Sequence, residues 1–155
     1  MKVVIYHSRK PSPLSAKDVR RLCTLLGEAY QVQSHTLIVQ FVGKRRIQAL
    51  HEQFFGDPTP TDCISFPLTH PATQDPAHTN LGSAPPSILG EVFVCPEVAA
   101  EYAHAHAVTV RSELLRYLVH GFLHLIGFDD TEPAKKRVMR REEERWVAML
   151  PCTSQ

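Results

Sequence analysis

Hydrophobic and polar positions follow two different periods along this chain, and these periods predict its secondary structure. Short runs rich in β-branched and aromatic residues predict four strands, at residues 2–7, 35–42, 62–67 and 88–95. Elsewhere apolar residues recur every three or four positions, which predicts five helices beginning near Ser15, Gly43, Pro96, Thr109 and Pro133. We therefore expect an α+β fold, in which a small mixed four-stranded sheet packs against about five helices.

Signals for helix ends support several of these boundaries. Ser15 is a suitable N-cap residue, and Asp18 follows three positions later in the acidic first turn. Thr109 begins the strongly apolar fourth helix in a similar way. Gly127 ends that helix, because glycine readily adopts the left-handed conformation that turns the chain sharply.

The apolar pattern fails between residues 68 and 87, and this segment is predicted to be a long loop. It contains Gly82 and four prolines, at positions 71, 76, 85 and 86, among scattered polar residues. The chain shows no internal repeat and no domain linker. Its 155 residues are therefore expected to form a single domain, residues 1–155, large enough to bury its own core.

Composition and charge exclude some classes of protein. The formal net charge is +1, so an anionic partner would have to meet a local patch of cations. No apolar run is long enough for a signal peptide or a membrane span. Four widely spaced cysteines without a CxxC pair indicate reduced thiols in the cytoplasm, with Cys23 and Cys63 expected in the core. The cysteines are Cys23, Cys63, Cys95 and Cys152.

The fourth predicted helix carries the residues with the clearest chemistry. His120 and His124 lie four positions apart, so both imidazoles point to the same side of the helix. The turn at Gly127 is expected to bring Asp130 back towards them. The pattern H-x-x-x-H-x-x-G-x-x-D has the spacing of the metzincin zinc motif, with a carboxylate as third ligand. It predicts one divalent metal ion, with zinc favoured, and a fourth position open to an activated water.

Two residues within this motif bear on the function it predicts. Position 121 is glycine, where the metzincin proteases carry the glutamate that acts as general base, so a metalloprotease is disfavoured. Asp129 is either an acceptor that orients a histidine N–H or a turn residue. Met139 is expected in the core, and His51 is expected at the surface without a metal.

Three segments in this order resemble the YbeY family of bacterial endoribonucleases. They are PTDCISFP at residues 60–67, LGEVFV at residues 89–94 and HGFLHLIGFDD at residues 120–130. The resemblance implies a fold with the metal-bearing helix at its centre. It also implies a zinc-dependent, single-strand-specific endoribonuclease that matures the 3′ end of 16S ribosomal RNA and takes part in ribosome quality control. Expected partners are ribosomal RNA and the small ribosomal subunit or its proteins, without a membrane or a nucleotide cofactor.

The chain departs from the family pattern at three positions. Asp130 stands where the family usually has a third histidine, which lowers the charge of the metal centre and broadens its metal preference. Glu91 stands where the family often has aspartate, and it is a weak candidate for a general base. Phe55 replaces a functionally important arginine, and a phenylalanine can only stack on a base or pack.

The loss of that arginine leaves several interpretations open. Another cation can supply the phosphate contact, and Lys44, Arg45 and Arg46 are the nearest basic candidates. The cations of residues 135–145 are expected on a solvated face, because Glu142, Glu143 and Glu144 interrupt them. The leading hypothesis is a metal-dependent endoribonuclease whose catalytic residues are unknown. The alternative is a ribosome-associated metal-binding protein with little nuclease activity, which Phe55 favours.

Overall fold

A computed structural model describes residues 1–7, 14–68 and 87–150. Within these residues it contains a four-stranded mixed sheet and five helices in the predicted order, which confirms the predicted fold class. Residues 69–86, the interior of the predicted long loop, lie outside the described residues. The elements are β1 (Lys2–His7), α1 (Ala16–Ala29), β2 (Thr36–Phe41), α2 (Lys44–Phe55), β3 (Cys63–Pro67), β4 (Ile88–Val94), α3 (Pro96–His106), α4 (Val110–Leu125) and α5 (Pro133–Met149).

The sheet has the strand order β1-β2-β4-β3. Strands β1, β2 and β4 are parallel, whereas β3 runs antiparallel to β4 at one edge. Strand β2 alternates between half-buried and buried residues, as expected when one face packs more tightly than the other. Strand β4 has an almost continuous buried run from Leu89 to Cys95, interrupted at Glu91, because its central position is covered on both faces.

Helix α4 lies at the centre of the fold. Ten of its sixteen residues are buried, and it contacts α3, α5, β3 and β4. A helix that is apolar around most of its circumference has to be enclosed in this way. Its start is the predicted one, since the Thr109 hydroxyl accepts a hydrogen bond from the Ser112 amide at 3.0 Å. The predicted N-cap of α1 is also present, with Ser15 Oγ accepting from the Asp18 amide at 3.1 Å.

Two glycines allow α4 to lie unusually close to the sheet. A Cβ atom at Gly121 would lie 2.5 Å from Val92 Cγ1 and 2.9 Å from Ser65 Oγ. A Cβ at Gly90 would lie 2.6 Å from both Leu125 Cδ2 and the carbonyl oxygen of Phe66. No side chain fits at such distances, so both contacts depend on glycine. The Ser65 hydroxyl also donates to the Gly121 carbonyl at 2.9 Å and fixes the height of the helix above β3.

Helices α1 and α2 pack on the sheet, whereas α3 and α5 pack on α4. Helix α1 buries Val19, Leu22, Cys23 and Leu26, and α5 buries Met139 and Trp146. Met139 and Cys23 are therefore core residues, as predicted, whereas Cys63 is only partly buried at the start of β3. Across residues 1–7, 14–68 and 87–150, no helix combines the length and apolar character needed to cross a bilayer.

Candidate metal centre

The last turns of α4 and the loop that follows it bring three side chains together. His120 Nε2 and His124 Nε2 lie 3.0 Å apart. After α4, Gly127 adopts φ +96° and reverses the chain, so that Asp130 returns towards both rings. Its Oδ2 lies 3.9 Å from His120 Nε2, and its Oδ1 lies 3.7 Å from His124 Nε2. One ligand atom from each residue falls within 4.8 Å of the other two, as the spacing predicted.

Hydrogen bonds at Nδ1 fix which nitrogen of each imidazole carries the proton. His120 Nδ1 donates to Glu143 Oε1 at 2.7 Å, and His124 Nδ1 donates to the carbonyl oxygen of Phe128 at 3.1 Å. A neutral imidazole that donates from Nδ1 presents a lone pair at Nε2. Both lone pairs therefore converge at 3.0 Å, which is repulsive unless a proton or a metal ion lies between them. Zn–N bonds of about 2.0–2.1 Å at a tetrahedral angle place two nitrogens about 3.3 Å apart, so the arrangement fits zinc.

Glu143 from α5 supports this pair, and its role was not predicted from the sequence. The sequence predicts a solvated face for the cations of residues 135–145, but Glu143 within this segment is only 8% exposed. It lies four residues after Met139 and three before Trp146, on the buried stripe of α5. That helical spacing is the signal that distinguishes it from its exposed neighbour Glu144. Such a carboxylate–histidine contact orients the ring and increases its basicity as a ligand.

The charges around His120 alter its protonation. Burial alone lowers the pKa of His120, but the hydrogen bond and negative charge of Glu143, with the charges of Asp62 and Asp130, more than offset that effect. The pKa of His120 is therefore raised above its ordinary value. This corner of the molecule stabilises positive charge, whether as a proton or as a metal ion.

Asp129 is a turn residue and does not orient a histidine. Its Oδ1 accepts from the Thr131 amide at 3.0 Å, and its Oδ2 accepts from the Thr131 hydroxyl at 2.7 Å and from Lys135 Nζ at 3.1 Å. These hydrogen bonds lower the pKa of Asp129 well below its usual range. Of the two interpretations left open by the sequence, the structure supports the turn.

A cavity of about 640 Å³ opens beside His120 and Asp130, and its wall carries three cationic side chains and four carboxylates. Arg116 lies one helical turn before His120 on the same face of α4 and lines this cavity. Its Nε contacts Glu113 at 3.4 Å, which holds the guanidinium against the helix. Two further cations on the cavity wall come from α5, namely Lys136 and Arg140.

The basic candidates predicted for a phosphate contact lie elsewhere. None of Lys44, Arg45 and Arg46 is among the residues that line the two cavities next to His120. Lys44 Nζ instead pairs with Glu101 at 2.6 Å. Of the cations described around these cavities, Arg116 is the closest in sequence to a predicted ligand.

Glu91, the weak candidate for a general base, is also not in the site. Gly90 and Val92 of β4 face α4, and side chains alternate along a strand, so Glu91 points to the opposite face of the sheet. There it accepts a hydrogen bond from Gln40 Nε2 at 3.4 Å.

Comparisons with known proteins identify the family of this chain and agree with its fold. A sequence profile described as Endoribonuclease YbeY matches residues 8–151. Endoribonuclease YbeY of Protochlamydia amoebophila is 38% identical over 136 residues, which cover 86% of this chain and 84% of that protein. The Chlamydia pneumoniae protein of the same name is 31% identical over 153 residues, covering 97% and 91%.

A solved structure shows the same architecture. The solution structure of TM1509 from Thermotoga maritima superposes with a TM-score of 0.62 at 26% identity, over 94% of this chain and 86% of that one. The sequence matches and the shared fold each extend over most of the chain. The chain therefore belongs to the Endoribonuclease YbeY family.

Proposed function

We propose that this protein is a metal-dependent, single-strand-specific endoribonuclease that acts in ribosomal RNA processing, at the 3′ end of 16S RNA. The observation that carries the metal requirement is the convergence of two Nε2 lone pairs at 3.0 Å, with a carboxylate beside them. The relatives' name supports RNA as the substrate class. The expected partners are ribosomal RNA and the small ribosomal subunit or its proteins, in the cytoplasm, with no nucleotide cofactor.

His120, His124 and Asp130 are the proposed ligands, and zinc is the proposed ion. Two imidazoles and one carboxylate form a donor set that zinc accepts, with a position left for water or substrate. When bound, such an ion polarises a phosphoryl oxygen and makes water acidic enough to react near neutral pH. Glu143 and the Phe128 carbonyl hold the rings so that both Nε2 atoms face the same point.

Arg116 is the proposed contact for a substrate phosphate. A guanidinium matches the geometry of two phosphate oxygens, and Arg116 lines the same cavity as His120 and Asp130. Its side chain is 30% exposed, so part of its fork is open to solvent. In this proposal it takes the role that the resemblance assigns to the position of Phe55.

The structure also bears on the two alternatives. A metalloprotease would need a glutamate at position 121, yet even a Cβ there would meet Val92 at 2.5 Å. A ribosome-associated metal-binding protein with little nuclease activity is favoured by Phe55, which is 60% exposed beside the histidines and carries no charge for a phosphate.

The test is an incubation of zinc-loaded protein with single-stranded ribosomal RNA, beside a His124→Ala variant and an Arg116→Gln variant. We expect cleavage by the parent that a chelator abolishes, no cleavage by His124→Ala, and a raised KM for Arg116→Gln. Stoichiometric zinc in the parent without any cleavage would overturn the nuclease proposal in favour of the ribosome-binding alternative. Cleavage by His124→Ala at the parental rate would refute the proposed metal centre.

A further inference from the structure

A second cavity next to the candidate metal centre has a different chemical character. It measures about 320 Å³ and shares Thr61, Cys63 and His120 with the larger cavity that Arg116 lines. That volume is at the lower end of the range for small-ligand sites, about 300–1,000 Å³. None of the side chains described in its wall is an arginine, a lysine or a carboxylate. The wall consists of His51, Phe55, Thr61, Cys63, Ile64, Ser65, His120 and His124.

Phe55 is the large apolar side chain of this wall, and packing in the core does not account for its position. It is the last residue of α2, and 60% of it is exposed. Its neighbour Phe54 is similarly exposed, at 54%, but packs on the Phe66 ring with centroids 4.7 Å apart and does not line the cavity. The adjacent phenylalanines thus face different surroundings, and only Phe55 of the two meets the site.

His51 adds a second ring to this wall, inclined by 49° to that of Phe55, and the following loop fixes its position. It lies one helical turn before Phe55, with ring centroids 5.6 Å apart. Its Nδ1 donates to the carbonyl oxygen of Thr59 at 2.8 Å. Asp57 in turn accepts from the amide and the hydroxyl of Thr59, at 2.8 and 2.7 Å. A ring held in this way loses little freedom when a ligand binds, which favours affinity.

We propose that Phe55 and His51 form a subsite that stacks one unpaired nucleobase of the RNA, adjacent to the phosphate held at the metal centre. This inference rests on the proposed function and adds the means of substrate selection. Flat aromatic side chains beside a phosphate-reacting centre match the planar, weakly polar face of a base. The larger cavity and this aromatic cavity share Thr61, Cys63 and His120, so a backbone phosphate beside Arg116 and a base on Phe55 contact different walls.

The subsite also selects against double-stranded RNA. A base in a helix has both faces covered by its neighbours and cannot offer one to Phe55 without leaving the stack. An unpaired base avoids that cost. Binding through this wall is therefore expected to depend on the presence of a base and only weakly on its identity.

The test measures affinity with cleavage suppressed. Full-length protein in a chelator is titrated with fluorescently labelled single-stranded RNA oligonucleotides, either intact or with one abasic residue walked along the strand. The variants are Phe55→Leu, Phe55→Trp and the matched control Phe54→Leu. Base–aromatic stacking corresponds to a loss of about fivefold or more in affinity on removal of the ring.

We expect Phe55→Leu to weaken binding of the intact oligonucleotide about fivefold or more. It should have little effect on the oligonucleotide whose abasic residue falls at the subsite. Phe55→Trp should keep the base-dependent affinity, and Phe54→Leu should bind as the parent does. Equal losses for Phe55→Leu and Phe54→Leu, or equal losses with and without the base, would overturn the subsite.

The results also separate this inference from the proposed function. Cleavage by zinc-loaded parent together with base-independent binding would refute the subsite alone. Base-dependent binding without cleavage would refute the nuclease and leave the subsite in place. Loss of binding to isolated small-subunit proteins by Phe55→Leu, with RNA affinity unchanged, would assign the cavity to a peptide and overturn the inference.

Discussion

Replacing Glu143 by alanine should weaken zinc binding although Glu143 is not a ligand. Its carboxylate accepts the Nδ1 proton of His120 at 2.7 Å and is only 8% exposed. A hydrogen bond to a charged group contributes about 1.5–3 kcal/mol. Loss of such a supporting contact lowers metal affinity about 10- to 100-fold, or about 1.4–2.8 kcal/mol. The two estimates agree, so a loss of about 10- to 100-fold is expected.

The measurement is a zinc titration in competition with a chromophoric chelator. Glu143→Gln should retain part of the affinity, because an amide oxygen still accepts from Nδ1 but carries no charge. The matched control is Glu144→Ala on the same helix. The Glu144 carboxylate is 61% exposed and pairs with Arg140 at 3.7 Å, so its removal should leave zinc affinity unchanged.

Thermal unfolding of each zinc-free variant checks that the fold survives. Glu143→Ala leaves the partly buried His120 N–H without its acceptor, so some loss of stability is expected in the zinc-free form as well. Parental zinc affinity in a folded Glu143→Ala protein would refute the role of Glu143. A loss of the same size in Glu144→Ala would show that charge on α5, and not the contact with His120, controls affinity.

Three further measurements test the metal, the helix packing and the thiols. Zinc at about 100 times its Kd should stabilise the protein by about 2.7 kcal/mol, so a chelator should lower the Tm measured by calorimetry by about 5–11 °C. An unchanged Tm would contradict the metal centre. In denaturant unfolding, Gly121→Ala should lower the free energy of unfolding by about 1–3 kcal/mol because the new Cβ meets Val92, and alanine's helix propensity should offset about 1 kcal/mol of this loss. The control is Gly43→Ala, where the nearest atom to a new Cβ lies at 3.6 Å and the expected loss is less than about 1 kcal/mol. Burial raises the pKa of Cys23 to about 12, so near pH 8 about one thiol in 10⁴ is ionised, and mass spectrometry should find Cys23 unalkylated in the native protein and alkylated after unfolding. Rapid alkylation of native Cys23 would contradict its burial.

The secondary structure could be predicted closely because local signals and tertiary packing agree. Ser15 and Thr109 cap their helices as their residue types indicate, and Gly127 takes the positive φ expected at the end of α4. The spacing of His120, His124 and Asp130 was sufficient to predict their proximity, because helix and turn geometry fix it locally.

Residues outside this ligand motif were harder to place. Glu143 approaches from α5, and its position depends on how α5 packs against α4, which no local spacing encodes. Arg116 shares the face of His120, yet helical spacing alone does not show where a cavity opens. Glu91 was misplaced because the resemblance located its strand without its face, and alternation directs the side chain away from α4.

The proposed ligands lie close together in the chain, between residues 120 and 130, and this affects how the site can form. Bringing them together closes only a short loop, whose entropy cost is small compared with that of joining distant strands. A metal ion bound there would link the end of α4 to the turn that leads into α5. The parallel pairing of β1 with β2, and of β2 with β4, has to form through longer crossovers and at greater cost in chain entropy. The proposed site therefore depends on local chain geometry, whereas the sheet depends on pairing between distant segments.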